Sequence, residues 1–200
     1  MYKTWGEIKS EIINLGFEQS NAYAENPKSC IEAVNRAMTI VAAFVRPLIG
    51  HYVIELEDTG AEQRFDIRAL TAEGGEPVFL GYVDRYPVAL RNPRRAADYL
   101  LDNDDAILLQ PGQSGPVDVW FKRVPRRVTE QTPDDYELEF EADAAELLPL
   151  LASFYLWQDE DERKAVRYRN DYEDLKAQLL TSRAGAAAAV TFIIMAVPVL

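Results

Sequence analysis

Tyr136-Glu137-Leu138-Glu139-Phe140-Glu141 is soon followed by Leu147-Leu148-Pro149-Leu150-Leu151-Ala152-Ser153-Phe154-Tyr155-Leu156-Trp157, and the change of period between them decides the fold class. In the first stretch apolar and acidic residues alternate, which puts Tyr136, Leu138 and Phe140 on one face of a strand. In the second, apolar residues fall on most sides, so residues 143–158 are expected to form a buried, central helix. Both periods occur in one chain, so both element types must share its core.

Working outward, the acids at 159–162 break the chain and restart it as a helix N-terminus. Ala165, Tyr168, Tyr172, Leu175 and Leu179 then recur at three- and four-residue spacing, predicting a helix to about residue 181. Upstream, period two extends back to His51. Tyr52, Ile54 and Leu56 alternate with Val53, Glu55 and Glu57, and Phe65 and Ile67 sit between Arg64, Asp66 and Arg68. Residues 78–83, 106–109 and 117–122 are further strand candidates, separated by Gly/Pro-rich turns at 73–77 and 110–116.

The first fifty residues read as a helical hairpin. Trp5, Ile8, Ile12 and Leu15 mark one helix, with Gly16 as its stop. Asn26 is suited to cap the second and Pro27 to begin it; Ile31, Val34, Met38, Val41 and Val45 form its stripe, Arg46 lies in its last turn and Pro47 ends it. The expected architecture is therefore α+β. An N-terminal helical hairpin and C-terminal antiparallel helices pack with a small antiparallel β-sheet or sandwich, and an extended hydrophobic C-terminal tail follows. Residues 1–183 form a single domain in this reading, with helices over about 4–46, a β region over 51–141 and helices over 143–181; residues 184–200 are the tail.

Composition narrows the function. The chain has 200 residues and a net charge of −12, with 48% hydrophobic and 27% charged residues, which is globular and not an integral membrane composition. The acidity argues against a general nucleic-acid binder, whose affinity rests on Lys and Arg. It is compatible with a wall past which DNA moves, because such a wall repels the duplex. Cys30 is the only cysteine, so no intramolecular disulfide is possible. Residues 1–10 lack the apolar run of a signal peptide, which predicts cytoplasmic synthesis.

Little in the sequence points to a reaction. His51, the only histidine, stands at a helix-to-strand junction, and a catalytic role would require a carboxylate or nucleophile beside it. Cys30 lies in the first turn of a helix, where the dipole lowers a thiol pKa, but a small buried apolar residue is the simpler role. Asp102-Asn103-Asp104-Asp105 resembles the start of a calcium loop but lacks the sixth-position glycine, and Gln113 replaces the twelfth-position glutamate. The glycine-rich turns match no nucleotide-binding pattern. No cofactor, metal or catalytic residue is expected, and an enzyme would have to be assembled from an arbitrary choice among 33 carboxylates.

Two basic clusters interrupt the acidic background: Arg91, Arg94 and Arg95, then Lys122, Arg123, Arg126 and Arg127. They are suited to DNA phosphates or, as we favour, to acidic surface on a neighbouring copy. The tail begins with an Ala/Gly run and turns β-prone and apolar at Val190, Thr191, Phe192, Ile193, Ile194 and Met195. Left exposed, such a segment aggregates, so it calls for a partner to which it adds a strand. The alternative is a tail anchor: a cytosolic domain held to a membrane by 184–200, with Arg183 before it, although seventeen residues fall short of the ~20 needed to span a bilayer.

The run Val117-Asp118-Val119-Trp120-Phe121-Lys122-Arg123-Val124-Pro125-Arg126-Arg127-Val128-Thr129 resembles a strand, aromatic, basic and proline segment common in the head-to-tail connector (neck adaptor) proteins of tailed bacteriophages. The strand 136–140, the apolar helix 147–157 and Tyr168-Arg169-Asn170-Asp171-Tyr172-Glu173-Asp174-Leu175-Lys176 are similar to the end of such adaptors. Asn35-Arg36-Ala37 stands in the place of a motif in their opening hairpin. The likeness covers about residues 1–50 and 117–180. It departs where Phe65-Asp66-Ile67 continues as Arg68-Ala69-Leu70, without the family's corner proline. The resemblance implies a structural virion protein without catalytic residues, made in the host cytoplasm and placed in the neck. It implies a homo-oligomeric ring, commonly a dodecamer, between the portal protein and a stopper or tail tube protein. DNA only transits such a ring, at genome ejection, and no membrane is involved. In such adaptors the C-terminal segment engages the portal, which assigns that contact to Val190, Phe192, Ile193, Ile194 and Met195.

Overall fold

A computed structural model describes residues 2–17, 27–72, 78–84, 86–91, 94–103 and 105–195, with side chains described up to 182 apart from 16 and 17. The chain is mixed α+β with several antiparallel sheets, and it divides into two compact units, one made of 1–41 with 126–200 and the other of 42–125.

The first unit opens with β1 (Tyr2–Thr4) and α1 (Trp5–Ile12). Thr4 caps α1 reciprocally: its hydroxyl accepts from Glu7 N–H at 3.2 Å and its own N–H donates to the Glu7 carboxylate at 2.8 Å. The helix does not stop at Gly16 as its sequence suggests, but widens into a π-helical turn, Ile13–Phe17. The proposed Asn26 cap lies outside the described residues. α2 (Pro27–Phe44) starts at Pro27 and buries Ile31, Val34, Met38 and Val41; Val45 and Arg46, assigned to it by their spacing, lie in the turn beyond its end.

The strand 136–141 is β10 (Glu137–Glu141), and its partner is β1 in a separate two-stranded sheet. Trp5 N–H donates to Tyr136 C=O (2.8 Å) and Gly6 N–H to Asp134 C=O (2.9 Å), so the chain entry is laced to the turn before β10. After α4 (Ala142–Ala145) and a break at Glu146, α5 (Leu147–Trp157) buries Leu147, Leu148, Leu151 and Ala152 as its all-round apolar sequence requires. α6 (Glu162–Met195) starts at the acidic break and packs on α5 through Ala165, Tyr168 and Tyr172. The hydroxyl of Tyr168 donates to the Leu15 carbonyl, and burial pushes the Tyr172 phenol up to about 12.

The return of the chain to this unit is fixed by one buried amide. Asn35 on α2 is 6% exposed; its Nδ2 donates to Val128 C=O and its Oδ1 accepts from Val128 N–H, both at 2.9 Å. The side chain thereby acts as a short strand for a segment that has none.

The second unit holds two antiparallel sheets. In one, β9 (Gly115–Arg123) pairs along its whole length with β2 (Leu48–Leu56). Its other edge takes β4 (Phe79–Tyr82) and β5 (Val88–Leu90), and β6 (Arg95–Ala96) pairs with β5. The other sheet has the order β3-β8-β7, from β3 (Gln63–Asp66), β8 (Ala106–Leu109) and β7 (Tyr99–Asp102). Ile54, Leu56, Val117, Val119, Ile107 and Leu109 from both sheets meet in one core. Gly50 faces the Phe121 ring so closely that a Cβ there would lie 2.5 Å from it. The strand expected to run to Arg68 ends at Asp66, whose carboxylate caps a single helical turn, α3 (Ile67–Leu70), by accepting from Ala69 N–H at 2.9 Å. The 73–77 turn lies outside the described residues.

Replacing Asn35 with Leu leaves the Val128 N–H and C=O buried without partners. The expected cost is about 3 kcal/mol of unfolding free energy, read by urea denaturation. A loss under about 0.5 kcal/mol is the size of an ordinary surface change and contradicts this role.

Candidate functional site

β2 and β9 are in register at His51 and Trp120, and at Val53 and Asp118, which brings the only histidine to a carboxylate. His51 Nε2 lies 2.8 Å from Asp118 Oδ1, and its ring stacks on Trp120 with centroids 5.4 Å apart. Arg91, just past β5, closes on the same carboxylate, with Nη2 2.5 Å from Oδ1 and Nε 3.3 Å from Oδ2. The Arg91 hydrogen bond, reinforced by His51, holds the Asp118 carboxyl below its ordinary range. Asp118 is thus the centre of an ion cluster, and Arg91, named from sequence as free to meet DNA or another subunit, is engaged within its own chain. Among the described residues the hydrogen-bond partner of His51 is Asp118, and the geometry supports an ion cluster that orients these side chains.

The other basic residues divide between the units. Arg94 and Arg95 are exposed, and Arg123 Nη1 donates to the Val124 carbonyl at 3.1 Å. Lys122 pairs with Asp84 at 2.9 Å. Arg126 and Arg127 are exposed just before the Asn35-bound Val128. Of the acidic turn, Asp102 is held by Arg64 at 2.7 Å and Asp105 by Arg68 at 3.5 Å, while Asp104 lies outside the described residues. Asn103 takes the left-handed conformation (φ 60°) that tightens this hairpin. Among the described residues no cluster of three or more His, Cys, Asp or Glu is arranged to hold a metal ion. Cys30 is buried, and burial pushes its thiol up to about 11, opposite to an activated thiolate.

A second constellation went unnoticed in the sequence because its members are far apart in it. Arg36 of α2 lies over the Tyr155 ring at 4.0 Å, Lys164 of α6 over Trp157 at 3.7 Å, and Arg169 over Phe154 at 5.4 Å. Phe154 and Tyr155 are themselves 5.0 Å apart, so Arg36 and Arg169 belong to one patch. All three cations are exposed and the rings half-buried. Such contacts contribute about 0.5–1 kcal/mol each at exposed positions. Their sequence signal was the aromatic end of an otherwise aliphatic helix.

On the same unit, a cavity of about 270 Å³ is lined by Glu11, Leu15, Glu146, Pro149 and Leu175 among others. Lys3 bridges two of its acids, at 2.5 Å from Glu11 and 2.8 Å from Glu146. Burial, which disfavours its charge, is outweighed by these two hydrogen bonds, so the Lys3 ammonium is held more firmly than an ordinary one.

The tail is the third feature. α6 has 34 residues, a rise of about 51 Å, against 11 residues and about 16 Å for α5. Among the residues up to 182 whose side chains are described, its buried ones, Ala165, Tyr168 and Tyr172, lie in the first third of the helix. The backbone from 184 to 195 continues this helix, whereas the sequence suggested an extended, strand-adding segment; the Ala run has the highest helix propensity there is. The side chains of Val190, Phe192, Ile193, Ile194 and Met195 lie outside the described residues. Among the described residues no helix is long and apolar enough to cross a membrane. No protein-family model and no curated protein matches this chain.

Because the native Asp118 carboxyl is depressed below its unfolded value, its contribution is present above that value and is lost as pH falls through the native pKa. Asp118→Asn is therefore expected to be less stable than wild type at pH 7, with the gap closing below about pH 4 in chemical denaturation. A gap that stays constant down to pH 2 means that the cluster is not charge-driven.

Proposed function

We propose that this chain is a structural subunit of a tailed-phage neck: a head-to-tail connector that assembles as a ring on a portal protein and is followed by a stopper or tail tube. The observation that carries the reading is α6, which outruns its helical partner and leads into an apolar sequence that requires a surface to cover it. The apolar helix α5 and the tyrosine-bearing start of α6 agree in kind with the adaptor-like end of the sequence, and the net charge of −12 suits a wall past which DNA slides. The reading assigns no reaction to the chain. Its ion clusters order the fold, and its cations and apolar tail meet protein.

The tail is the portal-facing element in this reading, through Val190, Phe192, Ile193, Ile194 and Met195. Burying several such side chains contributes about 1.5–3 kcal/mol each, ample to set the affinity. Light scattering of the full chain mixed with a ring-forming portal is expected to give a stoichiometric ring, and a chain ending at Arg183 is expected to bind at least about tenfold more weakly. Equal binding by the truncated chain removes the tail from the contact. A full chain that ignores the portal but partitions into liposomes in a tail-dependent way replaces the connector with a membrane-anchored domain.

A further inference from the structure

In a chain with 33 carboxylates, several cations hold one. Lys3, Lys9, Arg64, Arg68, Arg91 and Lys122 all do, as do Arg167 and Lys176 within α6. Among the described residues Arg36, Lys164 and Arg169 do not, nor do the exposed Arg94, Arg95, Arg126 and Arg127, and what sets the first three apart is the aromatic ring beneath each. Each is exposed and stacked on an aromatic ring of α5, and among the described residues none of the three has an ion-pair partner. The result is a patch of unneutralised positive charge backed by Tyr155, Phe154 and Trp157 on a strongly acidic molecule. Arginine together with tyrosine or tryptophan is also the composition in which binding energy concentrates at protein interfaces.

We propose that this cation-capped aromatic patch is the contact surface for a second copy of the chain, receiving carboxylate-rich surface of that copy. Charge complementarity selects the occupant. With an excess of twelve negative charges, most of the surface of another copy can answer three unpaired cations, and repulsion between the two net charges is screened beyond about 8 Å at physiological salt. Duplex DNA is the poorer fit. Tight phosphate binding draws on about 6–10 cationic contacts, and the patch has three. Base stacking is a poorer fit as well, because protein cations already cover the faces of these rings. The patch differs from what it receives, so the contact is heterologous and can repeat from copy to copy until it closes a ring.

This inference rests on the assembly reading above, but it is tested apart from the portal. Sedimentation of the full chain over a range of protein and salt concentrations is expected to show self-association that weakens as salt rises. Arg36→Glu with Arg169→Glu is expected to weaken it by about tenfold or more, and the neutral pair Arg36→Gln with Arg169→Gln by less. Both variants alter exposed side chains, and matching thermal melts confirm that the fold survives. Self-association equal to wild type in the reversed variant, or a wild-type chain that stays monomeric at every concentration, overturns the proposal. So does a variant that loses retention of duplex DNA while self-associating normally. If the reversed variant still forms rings on the portal as wild type does, only the patch is refuted. If the chain self-associates through the patch yet ignores the portal, only the neck reading fails.

Discussion

One side-chain amide holds the first unit closed. The unit is made of 1–41 and 126–200, and the segment that brings the chain back has no secondary structure over 124–129. A buried irregular backbone must find partners for its polar groups, and Asn35 supplies both for Val128 from within a helix. With Val128 fixed, the turn that follows is in place to meet Trp5 and Gly6, and β10 to pair with β1. The apolar end, α5, then has α1 and α6 against it.

The strongest periodicities were legible. The alternation at 136–141 and 52–56, the stripe of α2 and the all-round apolar α5 each correspond to an element, because each rests on a single local rule. What escaped was nonlocal. Tyr2–Thr4 is too short to read as a strand until β10 stands beside it, and β5 borrows its pairing from β9, β6 from β5 and β7 from β8. The strand expected over Arg64–Arg68 stopped two residues early because Asp66 is a better helix cap than strand residue. Of the candidate site residues, Arg91 was identified but its partner Asp118 was not, since nothing in the sequence aligns residues 91, 51 and 118. Arg36 and Arg169 were visible only as members of two helical patterns, and became a site when α5 lay between them.

The two units treat charge in different ways. In the second, carboxylates answer arginines at short range, at Asp118, Asp102 and Asp105, and two of these pairs stand where β7 ends and β8 begins. In the first, part of the positive charge is stacked on rings and stays available, while an apolar cavity is bordered by acids that Lys3 already holds. Solvation explains the difference. An exposed ring face left bare costs hydrophobic surface, and an arginine covers it without leaving water.

The split of the first unit also sets an order in time. Its N-terminal part ends at 41 and its remainder begins at 126, with the second unit between them. At a synthesis rate of about 5–20 residues per second, some 85 residues separate the two, a wait of roughly 4–17 s. The middle of the chain, with its own core, can collapse during that interval. Trp5, Ile8, Val34 and Met38 meanwhile wait for the residues beyond 126 that complete their unit. Maturation therefore runs from the inside outward, and residues 1–41 become native only after the longer segment that follows them.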